Sequence, residues 1–276
     1  METEKIHKLK EKANWIRQRV LEMITNAGKG HIGGAFSCAD ILAVLYYGDV
    51  LRFQAANPDW VDRDRFILSK GHSSAALYVI LSDLGYFPSA ELNNFQKENC
   101  ILGAHPGLKV PGIEADSGSL GHGLGIGAGL ALNAKLDKKE YLTFVLMGDG
   151  ECCEGSVWEA AMFASRQKLN NLIGIVDKNG LCSTDFLENC VKMESFEQRW
   201  EAFGWDTVAV DGHSFEELIP VLSQTRSRES EKPLMIIANT IKGKGVSFME
   251  GKPEWHHSVP NQEQFELAKK ELNELR

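Results

Sequence analysis

Asp149 and Asn179 have the residue types and the spacing that most directly indicate chemistry in this sequence. Each closely follows an apolar run, and about 30 residues separate them. Carboxylate and amide oxygens are hard ligands of the kind that Mg²⁺ and Ca²⁺ prefer. Gly148 and Gly150 flank the aspartate, so backbone amides can come close to an anion there. The pattern predicts a site for a divalent cation and a diphosphate group.

The elements around this pair must bring its two residues together. Residues 142–147 are almost wholly apolar and stop at a glycine, which is typical of a buried parallel strand, and residues 172–176 predict the next strand. Apolar residues recur at helical spacing over 155–168, between the strands. Because such crossovers usually join close strands, we expect Asp149 and Asn179 to lie near each other at one edge of the sheet. Ligands bind at that edge in open α/β sheets.

The same alternation of strand and helix continues through the chain. Strands are also predicted at 66–68, 207–210 and 234–238, with a helix at 74–84 after the first of them. The expected fold is α/β, a doubly wound, mainly parallel sheet with helices on both faces. We expect a single domain over residues 1–276.

Amphipathic helices are predicted at both ends of the chain, as appendages of this domain. The first ends near Gly28. Asn261 is expected to cap the last helix. The apolar face of that helix is predicted to consist of Phe265, Ala268, Leu272 and Leu275.

Composition and charge exclude several function classes. The net charge of −8 argues against a nucleic-acid partner, because lysine and arginine form no patch with interleaved aromatic residues. No apolar run approaches the length of a membrane span. The start of the chain is charged and has no signal-peptide core, so a cytoplasmic enzyme with reduced cysteines is expected.

Loop histidines form a second group that could carry chemistry. An imidazole with a pKa near 6.5 can donate and accept protons at neutral pH. Most of the eight histidines follow a glycine or lie in a loop-forming stretch. The candidates for a polar site are His31, His72, His105, His256 and His257. His213 is instead predicted to be a turn residue before a capped helix that begins after Ser214.

Several of these motifs resemble those of a known enzyme family. Gly148-Asp149-Gly150-Glu151, followed by Glu154-Gly155 and later by Asn179, resembles the thiamine diphosphate signature, and that of transketolase in particular. Further resemblances to transketolase follow in family order along nearly all of the chain. They are Gly30-His31-Ile32-Gly33, Leu68-Ser69-Lys70-Gly71-His72, Ala104-His105-Pro106, Gly118-Ser119-Leu120-Gly121 and His257-Ser258-Val259-Pro260. The last match is ambiguous by one residue, because Trp255-His256 resembles a variant of the same stretch.

This resemblance implies a ligand set for the cofactor thiamine diphosphate. Asp149, Asn179 and the backbone carbonyl of Leu181 would hold Mg²⁺ or Ca²⁺, and the metal would grip the diphosphate. The implied cofactor contacts are His72, Gly118, Leu120, Gly148, Asp149, Gly150, Glu151, Asn179 and His257.

The resemblance also assigns catalytic roles. These roles are to form hydrogen bonds with sugar hydroxyls and to stabilise oxyanion or proton-transfer states. The implied catalytic residues are His31, His72, His105, His256 and His257, with either His256 or His257 facing the substrate. Glu154 resembles an acidic residue that joins two active sites across a subunit interface. Two departures from the family pattern are Ile32, in place of a proline, and His122, where glutamine is common.

The implied reaction transfers a two-carbon ketol unit from a ketose phosphate to an aldose. The chain ends just after the last resemblance, whereas transketolases continue into a pyrimidine-binding domain and a C-terminal domain. We therefore expect the N-terminal subunit of a split transketolase, with little activity alone. A complementary chain would supply those domains, and an α2β2 heterotetramer is the expected assembly.

Three alternatives are open at this point. One is the alpha subunit of a thiamine-dependent 2-oxo-acid dehydrogenase, and another is a non-catalytic cofactor-binding subunit. The third is a nicotinamide oxidoreductase, because residues 28–33 spell G-x-G-x-x-G. That motif follows a predicted helix, whereas a dinucleotide-binding motif follows a strand, so the nicotinamide alternative has little support.

Overall fold

The central strands of the sheet are mainly apolar runs. The computed structural model describes residues 2–183, 185–193 and 195–274. Its strands are β1 (Arg65–Leu68), β2 (Thr143–Gly148), β3 (Leu172–Lys178), β4 (Asp206–Asp211) and β5 (Leu234–Asn239). Among the described residues these five form one parallel sheet in the order β1-β2-β3-β5-β4. Each predicted strand is present within one or two residues of its expected bounds.

Helices connect the strands and cover both faces of the sheet. They are α1 (Glu2–Ala27), α2 (Ile32–Ser37), α3 (Ala39–Tyr47), α4 (Ser74–Asp83), α5 (Gly123–Leu136), α6 (Gly155–Arg166), α7 (Leu187–Cys190), α8 (Phe196–Ala202), α9 (Phe215–Ser223) and α10 (Gln262–Glu274). Alternate residues of each strand point to opposite faces, so a sheet covered on both sides needs apolar residues at every position. On β2, Phe144 and Leu146 pack with α1, α3 and α4, whereas Val145 and Met147 pack with α5 and α6. The predicted doubly wound α/β fold is confirmed.

The terminal helices pack against each other and against the rest of the chain. Ile16, Val20 and Ile24 of α1 are fully buried, as is Leu272 of α10. The side-chain amide of Asn14 donates a hydrogen bond of 2.5 Å to the carbonyl of Leu272.

The predicted cap of the last helix is present. Asn261 accepts a hydrogen bond of 2.9 Å from the amide of Gln264, and the Gln264 side chain accepts one of 3.0 Å from the amide of Asn261. This reciprocal pair is a capping box, and it fixes the start of α10. Leu275, the last residue of the predicted apolar face, lies outside the described residues.

Residues 28–33 follow α1 and lead into α2, so the G-x-G-x-x-G motif has no strand before it. A dinucleotide-binding site needs that strand, which removes the support for a nicotinamide cofactor. In the described part of the chain, we find no helix that combines the length and the apolarity needed to cross a bilayer.

Candidate active site

A pocket of about 320 Å³ lies at the carboxyl ends of the central strands. That edge is where ligands bind in open parallel sheets. The pocket is lined by His31, Lys70, His72, His105, Gly118, Leu120, Gly148, Asp149, Gly150, Glu151, Asn179, Leu181, Cys182, Ser183, Lys242 and His256. All the residues that the sequence assigned to the cofactor, the metal or catalysis line it, with the exception of His257.

Asp149 and Asn179 line the same pocket because each closely follows one of two adjacent parallel strands, β2 and β3. One carboxylate oxygen of Asp149 accepts a hydrogen bond of 2.5 Å from the amide of Gly180, and the other accepts one of 2.8 Å from the amide of Gly150. The Asn179 side-chain oxygen accepts a hydrogen bond of 3.2 Å from the amide of Leu181. The strand-helix-strand unit and the residues that follow it therefore place Asp149, Asn179 and Leu181 in the lining of one pocket.

The electrostatics at Asp149 favour a bound cation. Burial and, to a lesser extent, the nearby Asp177 carboxylate raise the pKa of this carboxyl to about 6, although the amides of Gly180 and Gly150 act in the opposite sense. A positive charge placed beside a desolvated carboxylate offsets that cost. Among the described residues, no group of three or more His, Cys, Asp and Glu side chains could hold a metal. Any cation here would therefore need the Asn179 amide or backbone carbonyls as additional ligands.

Glu151 connects two glycine-containing segments of the pocket. Its carboxylate accepts hydrogen bonds from the amides of Gly121, at 2.9 Å, and Gly148, at 3.1 Å, and from the hydroxyl of Ser69. The side chain is buried, which raises the pKa of the carboxyl. Glu151 thus holds the 118–121 segment against the end of β2, and its oxygens are already engaged by the protein.

Substituting glutamine for Glu151 should destabilise the chain. The amide group would turn a donor toward one of the three donors that the carboxylate now accepts, leaving a buried group without a partner. We expect the free energy of unfolding to fall by about 2 kcal/mol, measured by urea denaturation. The exposed Glu98 provides a matched control, since Glu98→Gln should change that free energy by less than about 0.5 kcal/mol. Equal stability of the two variants would contradict this role for Glu151.

Four imidazoles form a cluster around His31. The ring centroid of His31 lies 5.5 Å from that of His72, 5.2 Å from that of His256 and 4.4 Å from that of His257. His105 is also near, with its centroid 6.3 Å from that of His31. Five histidines from four separate segments of the chain therefore meet at one side of the pocket.

The imidazoles of the four histidines that line the pocket are less basic than an ordinary histidine side chain. Burial lowers the pKa of His31 to about 4, helped by His257, and lowers that of His256 to about 3, helped by Lys242. Burial also lowers the pKa of His72 and of His105. At neutral pH each ring therefore carries one N–H donor and one acceptor nitrogen. Such a cluster suits hydrogen bonding to sugar hydroxyls, and a ring here can take up a proton only transiently.

The structure separates the two histidines that the sequence left as alternatives. His256 lines the pocket and lies 3.2 Å, through Nδ1, from the ammonium of Lys242. His257 is exposed and packs against the outer side of His31.

Two further residues of the family motifs have clear positions. His122 is exposed at the start of α5, close to Ser119, and does not line the pocket. Gly118 must be a glycine, because a Cβ at its φ of +127° would come within 2.8 Å of the His105 ring.

Lys242 is a pocket residue that the sequence motifs did not identify. Its ammonium donates hydrogen bonds to the carbonyls of Cys182, at 2.8 Å, and Leu181, at 3.3 Å. Burial lowers its pKa to about 8, with Lys70 acting in the same sense. Lys242 lies three residues after the end of β5. Its position after a predicted strand was a sequence signal that could have indicated a pocket residue.

Lys70 is a second lysine to which the motifs assigned no role. It is fully buried and ion-paired with Asp177, and its ammonium also donates to the carbonyl of Gly34 at 3.0 Å. Burial alone would lower the pKa of Lys70, but the Asp177 carboxylate outweighs this effect and raises it. This pair ties β1 to β3 beneath the pocket.

The doubly wound sheet defines an α/β protein with a polar pocket at the carboxyl edge of the sheet. A family profile described as "Transketolase, thiamine diphosphate binding domain" matches residues 8–273. The chain belongs to this family, as its motifs predicted.

Two relatives are named as separate transketolase subunits. The chain is 44% identical over 258 residues to one subunit of the apulose-4-phosphate transketolase of Phocaeicola vulgatus, and the match covers 94% of this chain and 91% of the relative. It is 39% identical to the 6-deoxy-6-sulfo-D-fructose transketolase subunit of a Clostridium species, over 96% of each chain.

Longer transketolases match only in part. The transketolase of Campylobacter jejuni superposes with a TM-score of 0.92 at 34% identity, over 97% of this chain and 43% of that one. The human enzyme is 41% identical over 92% of this chain and 40% of its own length. The chain thus spans about two fifths of these longer proteins and nearly the whole of the two subunits.

Proposed function

We propose that this chain is the diphosphate-binding subunit of a two-chain transketolase. With a complementary chain, it would transfer a two-carbon ketol unit from a ketose phosphate to an aldose. The observation that carries the proposal is the pocket, which gathers Asp149, Asn179, the ammonium of Lys242 and a cluster of neutral imidazoles. The match to the two subunits over nearly their whole length supports the two-chain form.

The residues of the pocket fit the cofactor's diphosphate. Gly148 and Gly150 have no side chain to block an anion, and the buried ammonium of Lys242 supplies positive charge. His72 and Gly118 line the same pocket, together with Leu120. When bound, thiamine diphosphate supplies the carbon nucleophile for cleaving the ketose.

The same pocket supports a divalent cation, with Mg²⁺ or Ca²⁺ as the proposed metal. The donors would be the carboxylate of Asp149, the side-chain oxygen of Asn179 and the carbonyl of Leu181, all of them hard oxygens. Each of these donors belongs to a residue that closely follows the carboxyl end of β2 or β3. Glu151 has a different role in this proposal, which is to hold the 118–121 segment against the end of β2 through the amides of Gly121 and Gly148.

The histidines would bind and orient the sugar. His31, His72, His105 and His256 line the pocket, and their low pKa values keep them neutral. A neutral imidazole can donate to a carbonyl oxygen that gains negative charge and can accept from a hydroxyl. His257, packed on the exposed side of His31, is proposed to meet the substrate at the pocket entrance.

The chain offers an open surface for the second copy in an α2β2 assembly. Gly125 and Gly129 of α5 are exposed, and an added Cβ at Gly129 would meet no atom within 4 Å. Met162 and Phe163 of the neighbouring α6 are exposed by 54% and 42%. Glu154, at the start of α6, is also exposed and would reach the second active site. We propose that this face contacts a copy of the same chain. We also propose, as a separate point, that residues 1–276 form one cytoplasmic domain.

A titration of thiamine diphosphate tests the cofactor and the metal together. The chain would be co-purified with its complementary subunit, treated with a chelator and titrated in a calorimeter with and without Mg²⁺. We expect saturable binding that is much tighter with the metal, because the cation neutralises both Asp149 and the diphosphate. Absence of binding at millimolar cofactor with Mg²⁺ present would refute the proposed function.

A further inference from the structure

His213 lies outside the pocket but is hydrogen-bonded to the segment that carries Lys242. Its Nε2 lies 2.9 Å from the backbone nitrogen of Ile241, the residue before Lys242. Its Nδ1 lies 2.6 Å from a carboxylate oxygen of Asp40 on α3. The ring is nearly buried, with 12% of the side chain exposed. The sequence predicts a turn at His213, and the turn is present, because its amide donates to Asp211 at 2.8 Å.

These two contacts fix the hydrogen positions of the ring. A backbone N–H can only donate, so Nε2 of His213 must be the bare nitrogen that accepts from Ile241. The proton of the neutral ring is therefore on Nδ1, from which it is donated to Asp40. The imidazole is thus a directed link between a carboxylate on a helix and a backbone amide after β5.

The carboxylate end of this link is firmly anchored. Arg17 of α1 binds both oxygens of Asp40, at 3.0 and 2.5 Å, and its Nε donates to the carbonyl of Phe36 at 3.2 Å. Arg17 and Asp40 are both buried. Burial would raise the pKa of Asp40, but Arg17 and His213 outweigh it and lower the pKa. A fork-like arginine-carboxylate pair has little freedom to reorient, so His213 is held by a rigid group.

The other end of the link, at Ile241, is adjacent in sequence to Lys242, which lines the pocket. Gly33 lets the Lys242 side chain pass, because a Cβ at Gly33 would come within 2.9 Å of its Cγ. The carbonyl of Gly33 also accepts a hydrogen bond of 3.0 Å from the amide of Gly243. Gly212, the residue before His213, allows a similar close approach to Thr240. The backbone on both sides of Lys242 is therefore tied to neighbouring segments, with His213 on the N-terminal side.

We propose that His213 is a positioning residue that holds the Ile241–Lys242 backbone so that the lysine ammonium points into the diphosphate end of the pocket. The importance of this position rests on the proposed function, in which Lys242 meets the cofactor's diphosphate. His213 touches neither substrate nor cofactor and acts only through Ile241.

Two substitutions of His213 test its hydrogen bonds with Asp40 and with Ile241 separately. Asparagine places its amide near the position of Nδ1, so His213→Asn keeps the donor to Asp40 and loses the acceptor for Ile241. Glutamine is one carbon longer and can place an oxygen near the position of Nε2, so His213→Gln keeps the acceptor for Ile241. His7 on α1, exposed and 3.5 Å from Glu11, provides the control His7→Asn.

Two measurements follow on these variants. Hydrogen exchange of the Ile241 amide is measured in the full chain, and we expect it to be about tenfold faster in His213→Asn. The concentration of thiamine diphosphate for half-maximal transfer activity is measured in the two-chain enzyme, and we expect it to rise about tenfold with kcat at saturation unchanged. His213→Gln should restore both values, and His7→Asn should alter neither.

The inference is overturned if His213→Asn leaves the exchange of Ile241 unchanged, or if His213→Gln is as impaired as His213→Asn. It is also overturned if kcat at saturation falls while the cofactor requirement stays constant, because a positioned lysine acts on binding. If the wild-type pair fails to respond to thiamine diphosphate, the proposed function fails. The exchange measurement then still shows whether His213 holds this backbone.

Discussion

Replacing Asp149 by asparagine should lower the transketolase activity of the two-chain enzyme by about 10³-fold, because a buried charge that pairs with a cation is lost. The substitution removes the only negative charge among the three proposed metal ligands. It should lower the free energy of unfolding of the chain by only about 1 kcal/mol, although the asparagine NH₂ group would face one of the two amides, of Gly150 or Gly180, whose part-buried hydrogen bonds the carboxylate now accepts. The reason is that burial already disfavours the ionised carboxyl, raising its pKa to about 6.

The measurements are initial rates of two-carbon transfer at saturating substrates and urea denaturation of the same preparations. Asp49→Asn is the matched control, since Asp49 is 90% exposed and forms a surface ion pair with Lys5. Activity of Asp149→Asn within about tenfold of wild type would show that this carboxylate does not hold the cation. A folding defect would instead assign it a structural role.

Replacing Lys242 by methionine should raise the Kd for thiamine diphosphate by about 100-fold. Methionine has a similar length and no charge, so the change removes the positive charge from the pocket and leaves most of the packing in place. Loss of one partner of a buried charged pair costs about 2–5 kcal/mol in binding. Calorimetric titration of the co-purified chains measures this effect directly.

Lys244 provides a control two residues away. Its ammonium lies 3.6 Å from Glu250, and the side chain lines a separate surface depression at the ends of β4 and β5. Lys244→Met should bind thiamine diphosphate as tightly as wild type. Equal affinity of Lys242→Met and Lys244→Met for the cofactor would remove Lys242 from the diphosphate site.

The fold was largely predictable from local sequence. The runs at 142–147 and 172–176 are apolar at every position except Thr143 and Gly174, and only a sheet covered on both faces buries such runs completely. The order of the strands in the sheet was not predictable from local sequence. β1 pairs with β2 across the long segment that contains α4 and the 103–118 loop, and β5 lies between β3 and β4. These pairings depend on contacts between distant segments, which local periodicity does not encode.

The same distinction applies to the site. Asp149 and Asn179 were predictable because one strand-helix-strand unit places both, and the histidines were predictable through their motifs. For Lys242 the only signal was its position after a predicted strand, and neither the link formed by His213 nor the bracing role of Glu151 had one. Each depends on a partner far away in sequence: Leu181 and Cys182 for Lys242, Asp40 for His213 and Gly121 for Glu151.

Burial also changed the chemistry expected of the histidines. Their residue type suggests a pKa near 6.5, yet His31 and His256 lie in a desolvated cluster next to Lys242 and to each other. Charging one ring there costs the solvation of that ring and adds repulsion from Lys242. The proposed role of these rings is therefore to donate and accept hydrogen bonds while neutral.

The most direct test of the central claim is a reconstitution assay. This chain, its complementary chain and the mixture are each supplied with thiamine diphosphate, Mg²⁺, a ketose phosphate carrying a ¹³C label in its first two carbons, and an aldose acceptor. Only the mixture is expected to transfer the labelled two-carbon unit. Transfer by this chain alone, or decarboxylation of a 2-oxo acid by the mixture with no two-carbon transfer, would contradict the account.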